Sequence, residues 1–359
     1  MDDVHLDPLG ESRGGVHSWI DDIIFHTDTL EGFMDAFERI LRRLCYCGLT
    51  LKASKCELLR NQIEVLGYLA TPDGLKMNPK KVTDFLKRWK VYPSSRTEIL
   101  SYLGGVNFYR RFIPRIALLS KPLTDALKKK AGHVDPEGIR TAVDAINRFL
   151  VSGEVLAAPD YSDPNAEFVM CTDACDIAVG AVLMQWQWTR PGPSPAPPAD
   201  VHKRATGDPL YQSWRLKAGY KLMTISFFSR VLDQTQSHWN VFDKEGGAIL
   251  LAVRENADII SGYPTTIYTD SSVAQTMLNK QSNYKGTPRL QRWGIELMSY
   301  APHLKIGFRR GVDNGMADLL SRYPYFKKYV KTPEDVIQLP KDEVFDRVAE
   351  AQFSLDKST

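Results

Sequence analysis

The sequence lacks any apolar run of the roughly 20 residues that a membrane-spanning helix requires. Its first residues, MDDVHLDPLGESRGG, lack the basic and apolar segments of a signal peptide. Only five cysteines are present, and no further cysteine or histidine lies at zinc-site spacing from Cys45 and Cys47 or from Cys171 and Cys175. We therefore expect an intracellular protein, cytoplasmic or nuclear, with reduced thiols and no membrane partner.

Net charge is also small, at +3, but it is unevenly distributed along the chain. Between Lys80 and Lys130 there are 13 lysines and arginines against 3 acidic residues. This basic block is interleaved with aromatic residues, namely Trp89, Tyr92, Tyr102, Phe108, Tyr109 and Phe112. Such a block is typical of a surface that follows a phosphate backbone and stacks on bases. A solvated basic helical face has the same composition, so charge alone leaves both interpretations open.

A chain of 359 residues exceeds one ordinary core, so we expect two or three domains. In VHSWIDDIIF, apolar and aromatic residues flank an acidic pair and predict a β-hairpin over residues 16–26. Helical periodicity follows over residues 30–48 and ends at a glycine. Strands are predicted around Ile63–Ala70, and helices between Pro79 and Lys130 and near Ile139–Leu150.

Beyond this point the pattern changes to alternating strands and helices. The predicted strands are Phe168–Thr172, Val179–Gln185, Thr224–Ser229, Thr265–Thr269 and Leu304–Arg309. The predicted helices are Lys244–Asn256, Ser272–Leu278 and Pro288–Tyr300. This order indicates a mixed α/β (α+β) fold with a five-stranded sheet. The Pro-rich stretch RPGPSPAPPADVHKRATGDP suits no core, and we expect an exposed, disordered insertion over about residues 187–215.

Four carboxylates stand out along the chain, three of them at the end of an apolar run or inside a helical pattern, where a side chain is held firmly. They are Asp173 in FVMCTDACDIAVGAVL, Glu245 in FDKEGGAILLAV, Asp270 in TTIYTDSSV and Asp318 in NGMADLLSR. Charges are kept off such positions unless they are paired or bind a cation. Any one of them is weak evidence, because strand-end aspartates also cap turns and helical glutamates are usually solvated. Together they supply about the number of hard oxygen ligands that a pair of divalent ions needs.

A second acidic feature is the adjacent pair Asp21 and Asp22 in WIDDIIFH. Because the pair lies between two apolar strands of the predicted hairpin, both carboxylates are expected at a tight, exposed turn. This position suggests a second, separate metal chemistry.

Many motifs occur in the order found in one known family. They are WIDDIIFH, LTLKASKCELLRNQIEVLGYL, ILSYLGGVNFYRRFIPRIALLSKPLTDALKK, VLAAPDYSDPNAEFVMCTDACDIAVGAVLMQ, ISFFSRVLDQTQSHWNVFDKEGGAILLAV, IYTDSS, RLQRWGIELMSY and GVDNGMADLLSRYP. With these motifs the chain resembles the C-terminal half of a gypsy-type LTR retrotransposon reverse transcriptase joined to its ribonuclease H domain. The resemblance spans roughly Val16 to Pro324. It implies a partial palm over residues 1–78, a helical thumb and connection over 79–144, an RNase H-like domain over 145–324 and a tail over 325–359.

The resemblance also implies roles for particular residues. The metal-binding catalytic quartet would be Asp173, Glu245, Asp270 and Asp318, holding two Mg²⁺ or Mn²⁺ ions. Two of the three polymerase metal ligands would be Asp21 and Asp22. The incoming nucleotide would lie near Lys55, and the primer-contact strand would carry Leu66, Gly67 and Tyr68. Further nucleic-acid contacts are expected from the thumb-like block at Lys87, Arg88, Tyr109, Arg110 and Arg111. The implied partner is an RNA:DNA hybrid or a template-primer.

Departures from the family pattern bear on activity. The polymerase's first aspartate should precede the hairpin on an apolar strand, and no such strand accompanies Asp2, Asp3 or Asp7. We therefore expect no polymerisation by this chain alone, unless an upstream Pol fragment completes the site in trans. The glycines at 246 and 247 should loosen the helix of Glu245, at roughly 1 kcal/mol each relative to alanine. Two function classes follow: a ribonuclease H attached to an incomplete reverse transcriptase, or a non-catalytic nucleic-acid-binding remnant.

Overall fold

The computed structural model describes residues 14–27, 29–128, 135–153, 155–190, 192–198, 209–272, 275, 287–300 and 304–308. The chain divides between Arg60 and Asn61 into two compact units. The domain borders predicted after residues 78 and 144 therefore both lie inside the second unit. In the described part of the chain, no helix is both long and apolar enough to cross a membrane.

The first unit is a β-hairpin followed by one helix. Strands β1 (Gly14–Trp19) and β2 (Asp22–Thr27) pair in antiparallel register, as the sequence predicts. Helix α1 (Leu30–Tyr46) begins where the Thr29 side chain accepts a hydrogen bond from the backbone N–H of Gly32, at 3.0 Å. It ends before Gly48, whose φ of 69° stops the helix. The ring of Phe25 packs against two phenylalanines of α1, which fixes the helix to β2.

The second unit opens with a four-stranded antiparallel sheet. It contains β3 (Ile63–Val65), β4 (Tyr68–Thr71), β5 (Gly74–Met77) and β6 (Val155–Leu156), in that order. The last strand returns from far along the chain and pairs with β5. At Gly74, with φ of 128°, a Cβ would lie 2.3 Å from the carbonyl oxygen of Leu156, so this close approach requires glycine.

Between β5 and β6 lies a helical segment. Its helices are α2 (Pro79–Arg88), α3 (Arg96–Phe108), α4 (Ile116–Leu119), α5 (Lys121–Ala126) and α6 (Pro136–Ser152), with a 3₁₀ turn at Arg110–Phe112. Pro93 and Pro114 lie in the breaks between these helices, as expected for residues that cannot continue a helix. Helix α6 runs unbroken across the border predicted after residue 144, because its apolar face packs into the same core on both sides of that position.

A five-stranded mixed sheet forms the centre of the second unit, as predicted. Its strands are β7 (Phe168–Ala174), β8 (Ala178–Trp188), β9 (Tyr220–Val231), β10 (Thr265–Thr269) and β11 (Leu304–Phe308). The order is β11-β10-β7-β8-β9, with β7, β8 and β9 antiparallel and β10 parallel to both β7 and β11.

Helices cover both faces of this sheet. Successive residues of a strand point to opposite faces, and in β7 Val169 belongs to one core while Met170 belongs to the other. The first core is completed by the helical segment before the sheet. The second core is completed by two helices, α9 (Val241–Glu255) and α11 (Pro288–Tyr300). Two short helices lie beside them in the chain: α8 (Gln234–Ser237) precedes α9, and α10 (Ala257–Ile260) follows it.

The predicted insertion over residues 187–215 is wrong at both ends. Strand β8 continues through Trp188, and a further helix, α7, occupies Pro209–Ala218. Arg215 on α7 is 1% exposed, and its Nη1 lies 2.5 Å from Oε2 of the equally buried Glu167. The prediction treated the polar residues of this stretch as solvent-exposed, whereas the charge of Arg215 is neutralised by Glu167 inside the protein. The central part of the stretch, residues 199–208, lies outside the described residues.

Candidate metal centre and nucleic-acid surface

Asp173 and Asp270 meet because they end two neighbouring parallel strands. Cys171 of β7 is in register with Tyr268 of β10. Two residues further along, the strands bring Asp173 and Asp270 to the same edge of the sheet. Carboxyl ends of parallel strands are a common position for functional side chains. Asp173 is 2% exposed, and Asp270, just after the end of β10, is half-buried.

Glu245 reaches the same edge from helix α9. The apolar residues of α9, among them Ile249 and Val253, pack on the face of the sheet that carries Met170 and Ile267. This packing places the first turns of the helix beside the strand ends. One carboxylate oxygen from each of Asp173, Glu245 and Asp270 lies within 4.8 Å of the other two. The structure thus brings together three members of the predicted quartet. Asp318 lies outside the described residues.

The chemistry of this acidic triad fits a hard divalent cation. Three carboxylates converging at low exposure repel one another unless a cation compensates their charge. Oxygen donors of this kind suit Mg²⁺ or Mn²⁺. Burial raises the pKa of the neighbouring Cys175 thiol, and the carboxylates of Asp173 and Asp176 raise it further. None of the five cysteines, all of which lie in the described part of the chain, forms a disulfide bond.

The two glycines after Glu245 lie in close contact with neighbouring side chains. A Cβ on Gly246 would lie 2.2 Å from Cδ2 of Leu290, and one on Gly247 would lie 3.0 Å from the ring of Trp239. Helix α11 therefore packs directly against the backbone of α9 behind Glu245. The glycines lower intrinsic helix propensity, but they allow a contact that alanine would block.

Sequence reasoning missed the charged residues beside Glu245. Asp243 and Lys244 are 4% and 7% exposed. The carboxylate of Asp243 accepts hydrogen bonds from Thr287 and Arg289, whereas Lys244 pairs with Asp176. The available signal was the run of three consecutive charges at the start of an otherwise apolar helix. Three consecutive residues point in widely separated directions around a helix axis, so in a helix that is apolar on most sides at least one of these charges is expected to be buried with a partner.

The second acidic pair, Asp21 and Asp22, lies in the first unit. Asp21 is in the turn between β1 and β2, and Asp22 is the first residue of β2, paired with Trp19. Both are exposed, as predicted. Among the described residues, no third potential metal ligand lies close enough to join them in a cluster.

The residues predicted to contact primer and nucleotide lie in two places. Lys55 is exposed in a 3₁₀ turn at Ala53–Lys55 of the first unit. Leu66 and Gly67 form the tight turn between β3 and β4, with φ of 48° and 90°. Tyr68 stacks on Phe108 at 4.7 Å between ring centroids, and its hydroxyl donates to the Phe108 carbonyl at 2.7 Å.

The basic block is less open than its composition suggests. Most of its aromatic residues belong to the core, including Trp89, Tyr102, Tyr109 and Phe112, and so cannot stack on bases as predicted. Arg110 and Arg111 are paired with Glu255 and Asp258, at 3.4 and 3.3 Å. Lys87 and Arg88 remain exposed on α2, with Lys87 near Asp84 and the Arg88 guanidinium over the ring of Trp89.

Known sequences match this chain at the level of a domain and of longer polyproteins. Residues 198–300 match the RNase H-like domain found in reverse transcriptase. The chain is 28% identical over 306 residues to the retrovirus-related Pol polyprotein from transposon 297 of Drosophila melanogaster, covering 85% of this chain and 25% of that protein. It is 27% identical over 317 residues to the transposon Tf2-3 polyprotein of Schizosaccharomyces pombe, covering 88% of this chain and 21% of that protein. The chain thus spans about a quarter of the length of these relatives.

Solved structures show a similar fold. The foamy viral protease-reverse transcriptase in complex with an RNA/DNA hybrid aligns with a TM-score of 0.62 and 19% identity, covering 83% of this chain and 36% of that one. A related foamy viral protein in complex with double-stranded DNA gives a TM-score of 0.61 at 18% identity, covering 82% and 46%. Together with the sequence matches, these findings show that the chain is homologous to retrotransposon Pol polyproteins and carries an RNase H-like domain of the kind found in reverse transcriptase.

Proposed function

We propose that this protein hydrolyses the RNA strand of RNA:DNA hybrids in a metal-dependent reaction. The observation that carries the proposal is the convergence of Asp173, Glu245 and Asp270 within 4.8 Å at one edge of the sheet. Asp318 is proposed as the fourth acidic ligand. An arrangement of buried like charges is costly, and such sites are concentrated where function requires them.

Each carboxylate has a distinct part in this proposal. Asp173 lies in β7, where it pairs with Gly180 of β8, two residues beyond the last pair between β7 and β10. Glu245 is presented from a helix whose position depends on packing against α11. Asp270 is half-buried and lies nearest to solvent, where a substrate phosphate can approach. Two Mg²⁺ or Mn²⁺ ions bound there would supply activation of a water molecule and stabilisation of the charge on the leaving oxygen.

The substrate class is supported by two further observations. The matched domain is of the type found in reverse transcriptase, and a protein of similar fold was solved with an RNA/DNA hybrid. Distinguishing RNA from DNA in such a hybrid depends on contacts with the 2′-hydroxyl. Exposed basic residues on α2, such as Lys87 and Arg88, are proposed to contact the backbone.

Polymerisation by this chain is not part of the proposal. The acidic pair at Asp21 and Asp22 gains no third ligand within the part of the chain that the structure describes. A polymerase needs a further metal-binding aspartate in its palm, and its supply in trans by an upstream Pol fragment is a separate hypothesis. Co-purification of such a fragment, followed by primer extension, would be required to establish that activity.

The test is cleavage of an RNA:DNA hybrid labelled on either strand, in Mg²⁺ and in Mn²⁺, by the parent protein and its Asp270→Asn variant. We expect the parent to cut the RNA strand alone and the variant to bind the hybrid without cutting it. Hybrid binding by the parent without cleavage would overturn the proposal and favour a non-catalytic nucleic-acid-binding remnant.

A further inference from the structure

Three consecutive charged residues at the start of α9 are all buried, and they point to three different parts of the molecule. Asp243, Lys244 and Glu245 are 4%, 7% and 5% exposed. Glu245 belongs to the acidic triad. Asp243 contacts the start of α11, and Lys244 contacts the turn between β7 and β8. The residues around Glu245 therefore bind its helix to two neighbouring elements.

The contact with α11 centres on Arg289. Its Nη1 lies 2.7 Å from Oδ2 of Asp243, and its guanidinium lies over the ring of Trp239 at 4.6 Å from the centroid. The hydroxyl of Thr287 donates to the other oxygen of Asp243 at 2.8 Å. Asp243 thus has both carboxylate oxygens engaged by residues at the start of α11. An ion pair with one partner this deeply buried constrains geometry more than an exposed pair does.

The contact on the other side of Glu245 is the ion pair between Lys244 and Asp176. Nζ of Lys244 lies 2.7 Å from Oδ1 of Asp176, in the turn just after Asp173. This pair connects the helix of one triad member to the strand end of another. Behind Glu245, Cδ2 of Leu290 on α11 lies 2.2 Å from where a Cβ on Gly246 would stand, and the Trp293 ring lies 3.5 Å from one on Gly247, so α11 is in close contact with this part of the helix.

We propose that Arg289 is a positioning residue for the acidic triad. It holds Asp243 and the first turn of α9 so that Glu245 stays within reach of Asp173 and Asp270 against their mutual repulsion. The inference deepens the proposed function, since it concerns the same site. It adds a residue that touches none of the three carboxylates and lies on a different helix.

The direction in which an Arg289 substitution changes metal affinity distinguishes a positioning role from a direct effect of the arginine's positive charge on the cation. Removing a positive charge near a cation site strengthens cation binding when Coulomb repulsion is the main effect. Removing a positioning contact weakens cation binding, because Glu245 is no longer held in place. The two explanations therefore predict opposite changes for Arg289→Gln.

The chain offers a matched control on the same two helices. Arg254 of α9 donates to Glu296 of α11, with Nε 2.7 Å from Oε1. This second ion pair lies about 13 Å along the helix axis from Glu245, at about 1.5 Å per residue. Arg254→Gln removes the same charge and the same kind of helix contact, but at the far end from the triad.

The experiment measures thermal stabilisation by Mn²⁺ and hydrogen exchange of the α9 backbone for the parent, Arg289→Gln, Arg289→Lys and Arg254→Gln. We expect Arg289→Gln to need about three- to tenfold more Mn²⁺ for the same stabilisation, less than the 10- to 100-fold typical of a group that touches a ligand directly. Exchange should rise at the first turn of α9. Arg289→Lys should restore part of the affinity, and Arg254→Gln should leave it unchanged.

Two outcomes would overturn the inference. One is tighter or unchanged Mn²⁺ binding by Arg289→Gln. Tighter binding would show that Arg289 acts on the cation through its charge, and unchanged binding would show that Arg289 contributes only to the stability of the fold. The other is an equal loss of affinity in Arg254→Gln, which would show a general effect of helix contacts. Failure of the proposed function is distinguishable, because the parent would then leave the RNA:DNA hybrid uncut, whereas this inference is tested only by the Mn²⁺ affinities of the parent and its variants.

Discussion

Gly246 determines how closely helix α11 can approach the helix that carries Glu245. Leu290 fills the position of the missing side chain and is itself 1% exposed, so it has little room to move. We predict that Gly246→Ala destabilises the protein by about 1–3 kcal/mol through overpacking, despite the better helix propensity of alanine. Urea unfolding measures this change.

A matched control for that prediction is Gly104→Ala in α3. No atom lies within 4 Å of a Cβ at this position. The substitution should therefore stabilise the protein by about 0.5–1 kcal/mol, the normal helix-propensity gain. Equal changes in free energy of unfolding at both positions would contradict the steric explanation.

The acidic residues of the site could be predicted from sequence because each has a local signal. Asp173 and Asp270 end apolar strands, and Glu245 interrupts an amphipathic helix. Arg289 could not be predicted in the same way, since its partner Asp243 is 46 positions away in the sequence. Local patterns do not specify which distant side chain neutralises a buried charge.

At the scale of single elements, a buried ion pair fixes helix α7 to Glu167, the residue just before strand β7. Arg215 and Glu167 are each 1% exposed, and the Arg215 side chain also donates twice to the Asn165 carbonyl. We predict that Arg215→Met costs about 3–5 kcal/mol in free energy of unfolding, because it leaves the Glu167 carboxylate buried without its cation. Urea denaturation is the measurement.

The double variant Arg215→Met with Glu167→Gln tests the reason for that loss. Removing the buried charge together with its partner should recover much of the stability. If the single variant lost less than 1 kcal/mol, the buried pair would not be what fixes α7.

Helix α3 begins with a capping box whose stability depends on pH. The Glu98 carboxylate accepts hydrogen bonds from Ser94 and Ser95, which lower its pKa from 4.5 to about 2. Because the folded-state pKa is depressed, the stabilisation is present above pH 4.5 and is lost as the pH falls toward 2. Glu98→Gln should therefore lower Tm at pH 6, and the difference from the parent should shrink at pH 3. A constant difference in Tm between these pH values would contradict this cause.

Element boundaries were predictable where the sequence carries turn chemistry. Strand β10 matches its predicted range, and the hairpin of the first unit forms around its acidic turn. Helix α7 was missed because a Pro-rich polar sequence usually remains exposed. Helix α7 packs against the core through Arg215, whose partner is the buried carboxylate of Glu167, 48 positions earlier in the chain.

At the scale of the whole molecule, the exposed cations on α2 should contribute to hybrid binding through counterion release. Lys87 is exposed and lies 3.4 Å from an exposed Asp84, whereas Arg110 is paired with Glu255 at lower exposure. We predict that Lys87→Ala reduces the slope of log K against log salt concentration by about 0.9. Arg110→Ala should change the slope less. Fluorescence anisotropy with a labelled hybrid measures both, and a larger change for Arg110→Ala would place the nucleic acid elsewhere.

The central claim is that Asp173, Glu245 and Asp270 form a divalent-cation site. Its most direct test is a Mn²⁺ titration followed by electron paramagnetic resonance, with Asp270→Asn beside Asp258→Asn as a control of equal charge change. Asp258 is exposed and paired with Arg111 outside the triad. We predict that Asp270→Asn loses Mn²⁺ binding while the control binds like the parent. Binding of the same number of ions with the same affinity by Asp270→Asn would contradict the account.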